Sequence, residues 1–211
     1  MAGRSLFCTL ALIMSLTQVH AQFSPSAIKI GFLNPKDTAA GLLMGTEFTY
    51  DIDETVQLGI APNVFYKNFT RKTAVAASDA PIGVNEVDVL QELEYTSAAL
   101  PIFAVMNVLI PSSRNYGYHF QGGLGWTFLY NHEKNFAADK SKRRFYSGFS
   151  WISSLGLYYR LGSRSTLIGE LLYHSGRVKR NKSETTEGLP VWTEVNFSGP
   201  GIRFGVRFGL M

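Results

Sequence analysis

The last residues of the chain alternate strictly between apolar side chains and small or charged ones. The even positions hold Ile202, Phe204, Val206, Phe208 and Leu210, and the odd positions between them hold only arginine or glycine. Because successive side chains of a β-strand point to opposite faces, this pattern predicts a strand with one apolar face and one face of arginine and glycine. Such a strand is typical of a barrel wall that separates lipid from a polar interior.

The same alternation recurs along the chain and predicts eight strands in total. The predicted strands are Ala27–Leu33, Leu42–Asp51, Thr55–Lys67, Leu90–Leu109, Tyr116–Asn131, Phe145–Leu161, Thr166–Val178 and Val195–Leu210. In the fourth of them, Pro101 interrupts the strand and the alternation slips near Ser97–Ala99, which predicts a β-bulge there. The predicted fold class is all-β, an eight-stranded antiparallel up-and-down transmembrane β-barrel.

The connections between these strands alternate between long and short. Residues 51–54, 110–115 and 162–165 form short connections with Asp, Pro, Ser or Gly, which are turn-forming residues. Residues 34–41, 68–89, 132–144 and 179–194 form the longer connections, and we expect residues 71–89 to be a mobile loop. Short turns on one side and long loops on the other are typical of outer-membrane barrels, whose short turns face the periplasm.

The N-terminal residues have the three-part pattern of a secretory signal peptide. Arg4 provides the positive charge, Leu6–Leu16 the apolar run, and Val19–Ala21 a small-residue cleavage site. The apolar run is shorter than the roughly 20 residues that a membrane-spanning helix needs. We therefore expect residues 1–21 to be removed and residues 22–211 to form one barrel domain. The single cysteine, Cys8, would leave with the signal peptide, so the mature chain would have no disulfide and no thiol site.

The composition agrees with a wall that faces lipid. Charged residues make up 17% of the chain and aromatic residues 13%, and there are 20 glycines. The charged fraction is low for the surface of a water-soluble domain. Glycine on the inward face suits a narrow barrel interior, which has little room for large side chains.

Four short motifs, together with the signal peptide, give the chain a family resemblance. They are Lys29–Pro35, Gly45–Tyr50, Gly122–Trp126 and Gly205–Phe208. The chain resembles the small bacterial outer-membrane β-barrel family and is loosely similar to the membrane domain of OmpA, to OmpX and to OmpW. The resemblance covers the whole mature chain and implies an integral barrel of the bacterial outer membrane. Members usually end in an aromatic residue that the barrel-assembly machinery recognises, whereas this chain continues from Phe208 to Met211.

Charged residues on the predicted inward faces are expected to pair with one another, because an unpaired buried charge is very costly. We expect ion pairs in the lumen among Glu170, Arg203, Arg207, Arg160, Glu47 and Lys29. An eight-stranded barrel has room inside for side chains or for one small ligand. We therefore expect this network to fill and plug the lumen, with a narrow path for small solutes as the alternative.

Two basic clusters lie in or beside the predicted long loops. Their members are Lys140, Lys142, Arg143, Arg144, Lys179 and Arg180. On the external side these groups would face the phosphates of lipopolysaccharide, which arginine binds well, and a simple solvated surface is the alternative. The expected partners are outer-membrane lipid, lipopolysaccharide and, during insertion, the barrel-assembly machinery. We expect no nucleic acid partner, because the basic run has no folded platform, and we expect a monomer.

These features predict a non-enzymatic envelope or surface-interaction role, with no catalytic, cofactor-binding or metal-binding residue. A lipid A-modifying barrel enzyme is one alternative, because His174, Ser175 and Glu170 include the residue types of a deacylase site. Adjacent strand residues point to opposite faces, however, so His174 and Ser175 would not meet. A secreted lipocalin-like binder is the other alternative, and it would need an apolar interior and a polar exterior.

Overall fold

The computed structural model describes residues 25–76, 87–135, 140–162, 165–180 and 194–208. These ranges contain the strands β1 (Ala27–Leu33), β2 (Gly41–Asp51), β3 (Val56–Ala76), β4 (Val87–Pro111), β5 (Tyr116–Asn135), β6 (Lys140–Arg160), β7 (Ser165–Lys179), β8 (Glu194–Asn196) and β9 (Gly199–Phe208). Within the same ranges, no helix is long and apolar enough to cross a membrane. The predicted signal peptide and the last three residues lie outside the described residues.

The strands close into a single antiparallel barrel. Each of β1 to β7 pairs with the next strand along the chain, and β9 pairs with both β7 and β1, which completes the ring. The short strand β8 also pairs with β7, so β8 and β9 are two pieces of one wall strand, interrupted at Phe197 and Ser198. The result is an eight-stranded up-and-down barrel, which confirms the predicted fold class.

The strands on the loop side are longer than the sequence pattern predicts. β3 continues to Ala76 and β4 begins at Val87, so much of the predicted loop after Lys67 belongs to the sheet. β5 continues to Asn135 and β6 begins at Lys140. The predicted boundaries were wrong here because backbone pairing can continue after the wall has left the apolar belt. Where both faces of a sheet meet water, side chains no longer need to alternate in polarity.

The predicted bulge near Ser97–Ala99 is also wrong. The register between β3 and β4 is continuous through these residues, and its one shift lies between Arg71 and Lys72. The alternation slips in the sequence only because this part of β4 is apolar on both faces: Ala99 and Phe103 point inward, whereas Leu100 points outward. A strand with apolar residues on both faces loses the period-2 signal without losing its geometry.

The outer wall carries large apolar side chains over most of its circumference. Examples on five different strands are Phe32, Ile60, Trp126, Phe149 and Phe204, and the exposed fraction of the Phe204 side chain is 60%. Tyr116 and Tyr118 lie near the turn side of β5, and Tyr130 lies toward the loop side. Exposed tyrosines therefore lie toward both ends of this strand, as in the two aromatic girdles of membrane barrels, although the exposed Trp151 is paired with Leu124 near the middle of the wall.

The interior is divided into two layers. The half near the short turns contains buried charged and amide side chains, whereas the half near the long connections contains an apolar cluster. The largest members of the apolar cluster include Phe65, Phe103, Leu129 and Phe197. The ring centroids of Phe65 and Phe197 are 5.0 Å apart in an edge-to-face arrangement. The sequence analysis did not predict this apolar layer.

Candidate functional site

The polar layer is one connected network that crosses the barrel from wall to wall. Each of the eight wall strands contributes at least one side chain to it. In chain order, the contributors are Lys29, Glu47, Asn63, Asn107, His119, Gln121, Ser154, Glu170, Arg203 and Arg207. All ten side chains are buried. We refer to these residues as the buried polar network.

Glu170 on β7 is one of the two anionic centres of the network. Its carboxylate accepts hydrogen bonds from Lys29 Nζ at 3.1 Å and from Ser154 Oγ at 3.0 Å, and it forms an ion pair with Arg203. His119 Nδ1 lies 3.2 Å from the same carboxylate. These donors replace the hydrogen bonds with water that the carboxylate loses when it is buried.

Glu47 on β2 is the second anionic centre. Its Oε1 lies 2.6 Å from Lys29 Nζ, and its Oε2 accepts hydrogen bonds from Arg207 Nη2 and Asn107 Nδ2, both at 3.3 Å. Gln121 also donates to this carboxylate. Lys29 therefore contacts both carboxylates and links the two centres.

Amide side chains extend the network between the charged groups. Arg203 donates to Asn63 Oδ1 at 3.0 Å and to Gln121 Oε1 at 2.9 Å. Gln121 Nε2 in turn lies 2.8 Å from Asn107 Oδ1. The sequence analysis did not predict that amide side chains would connect the ion pairs. The two contacts of Arg203 could not have been predicted from strand pairing, because they join strands that are not neighbours, whereas Asn107 and Gln121 are paired on the adjacent strands β4 and β5.

Inward-facing glycines provide the space for the long side chains. A Cβ atom on Gly31 would lie 2.8 Å from Arg203 Cγ, and one on Gly205 would lie 2.7 Å from Lys29 Cγ. A Cβ atom on Gly156 would lie 2.8 Å from Glu170 Cβ. These distances are too short for real Cβ contacts, so glycine is required where the network side chains cross a neighbouring strand.

Five of the six residues predicted as lumen ion partners lie together in the network: Lys29, Glu47, Glu170, Arg203 and Arg207. The sixth, Arg160, lies at the turn-side end of β6, where its side chain is exposed. The centre of its guanidinium lies 5.9 Å from the centroid of the Tyr158 ring. Arg160 is therefore at the mouth of the barrel and outside the ion-pair network.

His174 and Ser175 lie on opposite faces of β7. The His174 ring is buried, and its Nδ1 lies 2.8 Å from the carbonyl oxygen of Phe197 and so acts as the donor. Its Nε2 lies 3.3 Å from Thr127 Oγ1, which is 2.7 Å from Ser150 Oγ. His174 thus anchors the interruption between β8 and β9 from inside the barrel. This arrangement does not supply the His–Ser pair that a deacylase site needs.

The basic residues that were predicted in loops lie mostly at strand ends. Lys140, Lys142, Arg143 and Arg144 are on β6, Lys179 is the last residue of β7, and Arg180 follows it. Arg144 is buried and forms a 3.2 Å ion pair with Glu133, whereas Arg143 is exposed. Lys179 lies 3.5 Å from Glu194 on the surface. The two basic clusters that were predicted in or beside long loops therefore lie largely on the loop-side ends of β6 and β7.

A cavity of about 210 Å³ lies at the loop-side end of the interior. Its walls include Asp37, Tyr95, Asn131, Glu133 and Tyr146. The Asp37 carboxylate accepts a 2.7 Å hydrogen bond from the backbone of Asn196. Among the described residues, no group of three or more His, Cys, Asp or Glu side chains could hold a metal ion.

Comparison with known proteins gives similarity of fold alone. No family model matches the sequence, and no curated protein matches it. The solved structure of Neisserial surface protein A has a TM-score of 0.50 and 10% sequence identity, and the match covers 87% of this chain and 94% of that chain. The outer membrane protein OprG from Pseudomonas aeruginosa has a TM-score of 0.48 and 13% identity, covering 89% of this chain and 96% of that chain. The attachment invasion locus protein Ail of Yersinia pestis has a TM-score of 0.44 and 10% identity, covering 86% and 95%.

Proposed function

We propose that this protein is an integral barrel of the bacterial outer membrane that is closed to solutes and acts without catalysis in the envelope and at the cell surface. The observation that carries the proposal is the polarity of the closed wall, with large apolar side chains outside and ion pairs inside. Water is a poor solvent for an apolar surface of this extent. A lipid bilayer can accommodate this surface, because a closed barrel satisfies its backbone hydrogen bonds internally. The same polarity is the inverse of that expected for a lipocalin-like binder.

Heat-modifiability of the protein in detergent tests the membrane barrel. Boiled and unboiled samples should migrate differently on a gel, because a closed detergent-resistant barrel stays folded until it is heated. The protein should also fractionate with the outer membrane. Equal migration, together with recovery in the soluble periplasmic fraction, would contradict the proposal and favour a soluble binder.

The buried polar network supports a lumen that does not conduct. Its side chains span the interior from all eight wall strands, and the apolar cluster around Phe65 and Phe103 lies above it. An ion would have to break several buried ion pairs and then cross an apolar layer. We therefore expect no conductance above background in planar bilayers. A steady, small conductance would instead favour the narrow path for solutes.

Outward basic residues at the loop-side rim support contact with lipopolysaccharide. Arg143 is exposed two residues before the exposed aromatic Phe145, so it lies just beyond the aromatic girdle. Lys179 is exposed as well, and its contact with Glu194 is a surface ion pair of the kind that contributes roughly 0–1 kcal/mol. Such weakly held cations remain available to lipid phosphates at headgroup level.

The contact is tested by adding lipopolysaccharide to the folded protein in detergent and measuring the temperature of heat-induced unfolding. We expect lipopolysaccharide to raise this temperature in the wild-type protein and less so in the double variant Arg143→Gln, Lys179→Gln. Arg114→Gln is the matched control, because Arg114 is exposed at the opposite end of the barrel. An equal response of the double variant and the control would contradict the proposed contact.

The absence of catalysis is tested by profiling lipid A from cells that express the protein. The ring nitrogens of His174 have partners inside the barrel, and Ser175 lies on the other face of β7. We therefore expect the wild-type protein, the Ser175→Ala variant and an empty vector to give the same acylation pattern. Loss of an acyl chain only with the wild-type protein would establish a lipid A-modifying enzyme instead.

A further inference from the structure

Two glycines within the wall strands point outward: Gly122 on β5 and Gly169 on β7. An added Cβ atom on Gly122 would meet no atom within 4 Å. Glycine weakens the interior of a strand, and it often marks a place where a ligand or another backbone approaches closely. The inward glycines make room for the buried polar network, whereas Gly122 lies on the opposite face of the wall. Its open space is therefore available to a molecule outside the barrel.

Gly122 lies at the floor of an apolar hollow of about 600 Å³ on the outer wall. The small residues Ala104 and Ser153 belong to the same floor, and the larger side chains of Met106 and Trp151 line its sides. We call this space the Gly122 hollow. Its volume lies within the range of about 300–1,000 Å³ that is common for ligand pockets.

The outward face of β7 changes from apolar to polar in the loop-side half of the wall. After Tyr173, the outward residues are Ser175, Arg177 and Lys179. Arg177 Nη1 lies 3.8 Å and Lys179 Nζ 3.5 Å from the carboxylate of Glu194, and both basic side chains are exposed. Two cations against one carboxylate leave an excess positive charge among these three groups, and such surface pairs hold each other weakly. The excess charge suits a phosphate group at the level of the lipid headgroups.

The register of the wall relates Arg177 to the Gly122 hollow. Arg177 lies four residues along β7 from Tyr173. Tyr173, Ser153 and Gly122 are paired in one row across β7, β6 and β5. Gly122 is therefore about 13 Å from Arg177 along the strands and about 10 Å across them, or roughly 16 Å in a straight line. This line makes an angle of about 36° with the strands, which agrees with the strand tilt of about 35–45° in membrane barrels.

The stagger of the strands fixes the direction of this line. Rows of paired residues that are followed from β7 through β6 and around the ring return to β7 nearer the short turns. Each step from β7 toward β5 therefore descends toward the turns, so the line from Arg177 to Gly122 runs close to the barrel axis. Its length is about half of the roughly 30 Å thickness of the hydrocarbon core, which is the depth of one leaflet. A phosphate at Arg177 and an acyl chain that ends at Gly122 therefore fit a single lipid.

We propose that one lipopolysaccharide molecule binds to this wall, with a phosphate at Arg177 and Lys179 and one acyl chain in the Gly122 hollow. The long-loop side of a membrane barrel faces the cell exterior, so this lipid belongs to the outer leaflet. Ser175 lies on the same face between the cations and the hollow, where its hydroxyl can donate to an oxygen at the head of the chain. The site rests on the lipopolysaccharide contact proposed above and adds to it a defined seat for one chain.

NMR contacts between the hollow and the lipid test the seat directly. The protein carries protonated, ¹³C-labelled methionine methyl groups, is otherwise deuterated, and is folded in deuterated detergent with one equivalent of lipopolysaccharide. We expect a strong NOE between the Met106 methyl, which is exposed in the hollow, and the acyl-chain protons. Met44 is the comparison, because it is equally exposed on β2 but lies outside the hollow. NOEs of equal strength at Met44 and Met106 would overturn the seat, because they would describe lipid spread over the whole wall.

Two substitutions test the two ends of the site. Gly122→Leu fills the hollow and keeps the wall apolar, and we expect it to weaken lipopolysaccharide binding about four- to fifteenfold, as for the loss of one or two buried methylene groups. Arg177→Gln should weaken binding about two- to fivefold, as for the loss of a surface ion pair. Isothermal titration calorimetry in detergent measures both affinities, and heat-modifiability shows that each variant is folded.

Gly169→Leu is the matched control. Gly169 lies in a separate outward hollow of about 500 Å³, eight residues along β7 from Arg177, or about 26 Å. One acyl chain from a phosphate at Arg177 does not extend that far, so the affinity of Gly169→Leu should equal that of the wild-type protein. If Gly122→Leu bound lipopolysaccharide as tightly as Gly169→Leu, the seat would be overturned.

The remaining outcomes separate this seat from the lipopolysaccharide contact itself. If lipopolysaccharide raised the unfolding temperature of the wild-type protein and of Gly122→Leu equally, the phosphate contact would stand and the chain seat would fall. No rise in the wild-type protein would overturn both. An equal NOE at Met106 from phosphatidylethanolamine would overturn the assignment to lipopolysaccharide, since any acyl lipid would then fill the hollow. In a mixture with unlabelled protein, an NOE from Met106 to protons of the unlabelled copy would assign the hollow to a contact between two copies of the chain and overturn the lipid seat.

Discussion

Lys29 on β1 and Glu170 on β7 meet inside the barrel, with Nζ 3.1 Å from Oε2, although the strand β9 lies between β1 and β7 in the wall. The contact therefore does not follow from backbone pairing, which joins only neighbouring strands. It spans the gap left by Gly205 of β9, whose missing Cβ would lie 2.7 Å from Lys29 Cγ. Contacts of this kind hold the wall strands together across the interior.

Glu170→Gln should lower the stability of the barrel strongly. The substitution keeps the shape of the side chain but leaves Lys29 and Arg203 with one buried carboxylate fewer, and breaking a buried ion pair costs about 3–5 kcal/mol. The midpoint of the heat-induced gel shift should therefore fall well below that of the wild-type protein. Glu54→Gln is the control, because Glu54 is exposed in the turn between β2 and β3. An unchanged midpoint for Glu170→Gln would show that the ion pairs do not stabilise the fold.

Combining Lys29→Met with Glu170→Gln tests whether the two residues are coupled. Each single change leaves a buried charge without its partner, whereas the double variant removes one cation together with one anion. We expect the double variant to lose less free energy of unfolding than the two single variants lose in sum. The difference should be about 0.5–3 kcal/mol, the range for residues in one network. Unfolding in urea, with all four proteins in the same detergent, measures this coupling. Strictly additive effects would mean that Lys29 acts only through Glu47.

The sequence predicted the architecture well because alternation reports which face each residue occupies. The bounds of β1 agree with the prediction at both ends, and the last residues divide into outward Phe204 and inward Arg203 as expected. The sequence could not predict which inward residues touch, because this depends on how far the strands are staggered around the ring. For this reason Arg160 was grouped with Arg203, although the structure places it at the mouth. The apolar layer around Phe103 was missed because it makes both faces of β4 apolar.

Gly156→Ala should destabilise the barrel, whereas Gly122→Ala should be tolerated. A Cβ atom on Gly156 would lie 2.8 Å from both Cα and Cβ of Glu170, and the β-sheet backbone cannot move aside without strain. Overpacking of this kind costs about 1–3 kcal/mol. Gly122 faces outward with no atom within 4 Å of an added Cβ, so it is a matched control on the neighbouring strand. Equal unfolding midpoints for the two variants would contradict the idea that inward glycines make room for the network.

Leu124→Arg tests whether the outer wall faces lipid. Leu124 lies midway between the aromatic residues at the two ends of β5, and 61% of its side chain is exposed. An arginine near the middle of a bilayer costs about 2–4 kcal/mol, whereas the same substitution on a water-exposed wall costs little. We therefore expect Leu124→Arg to reduce the free energy of unfolding in phospholipid vesicles by this amount. Asn115→Arg, in the exposed turn before β5, should have little effect on stability under the same conditions. If both variants retained wild-type stability in vesicles, the apolar belt would not be embedded in lipid, and the membrane placement of the barrel would be wrong.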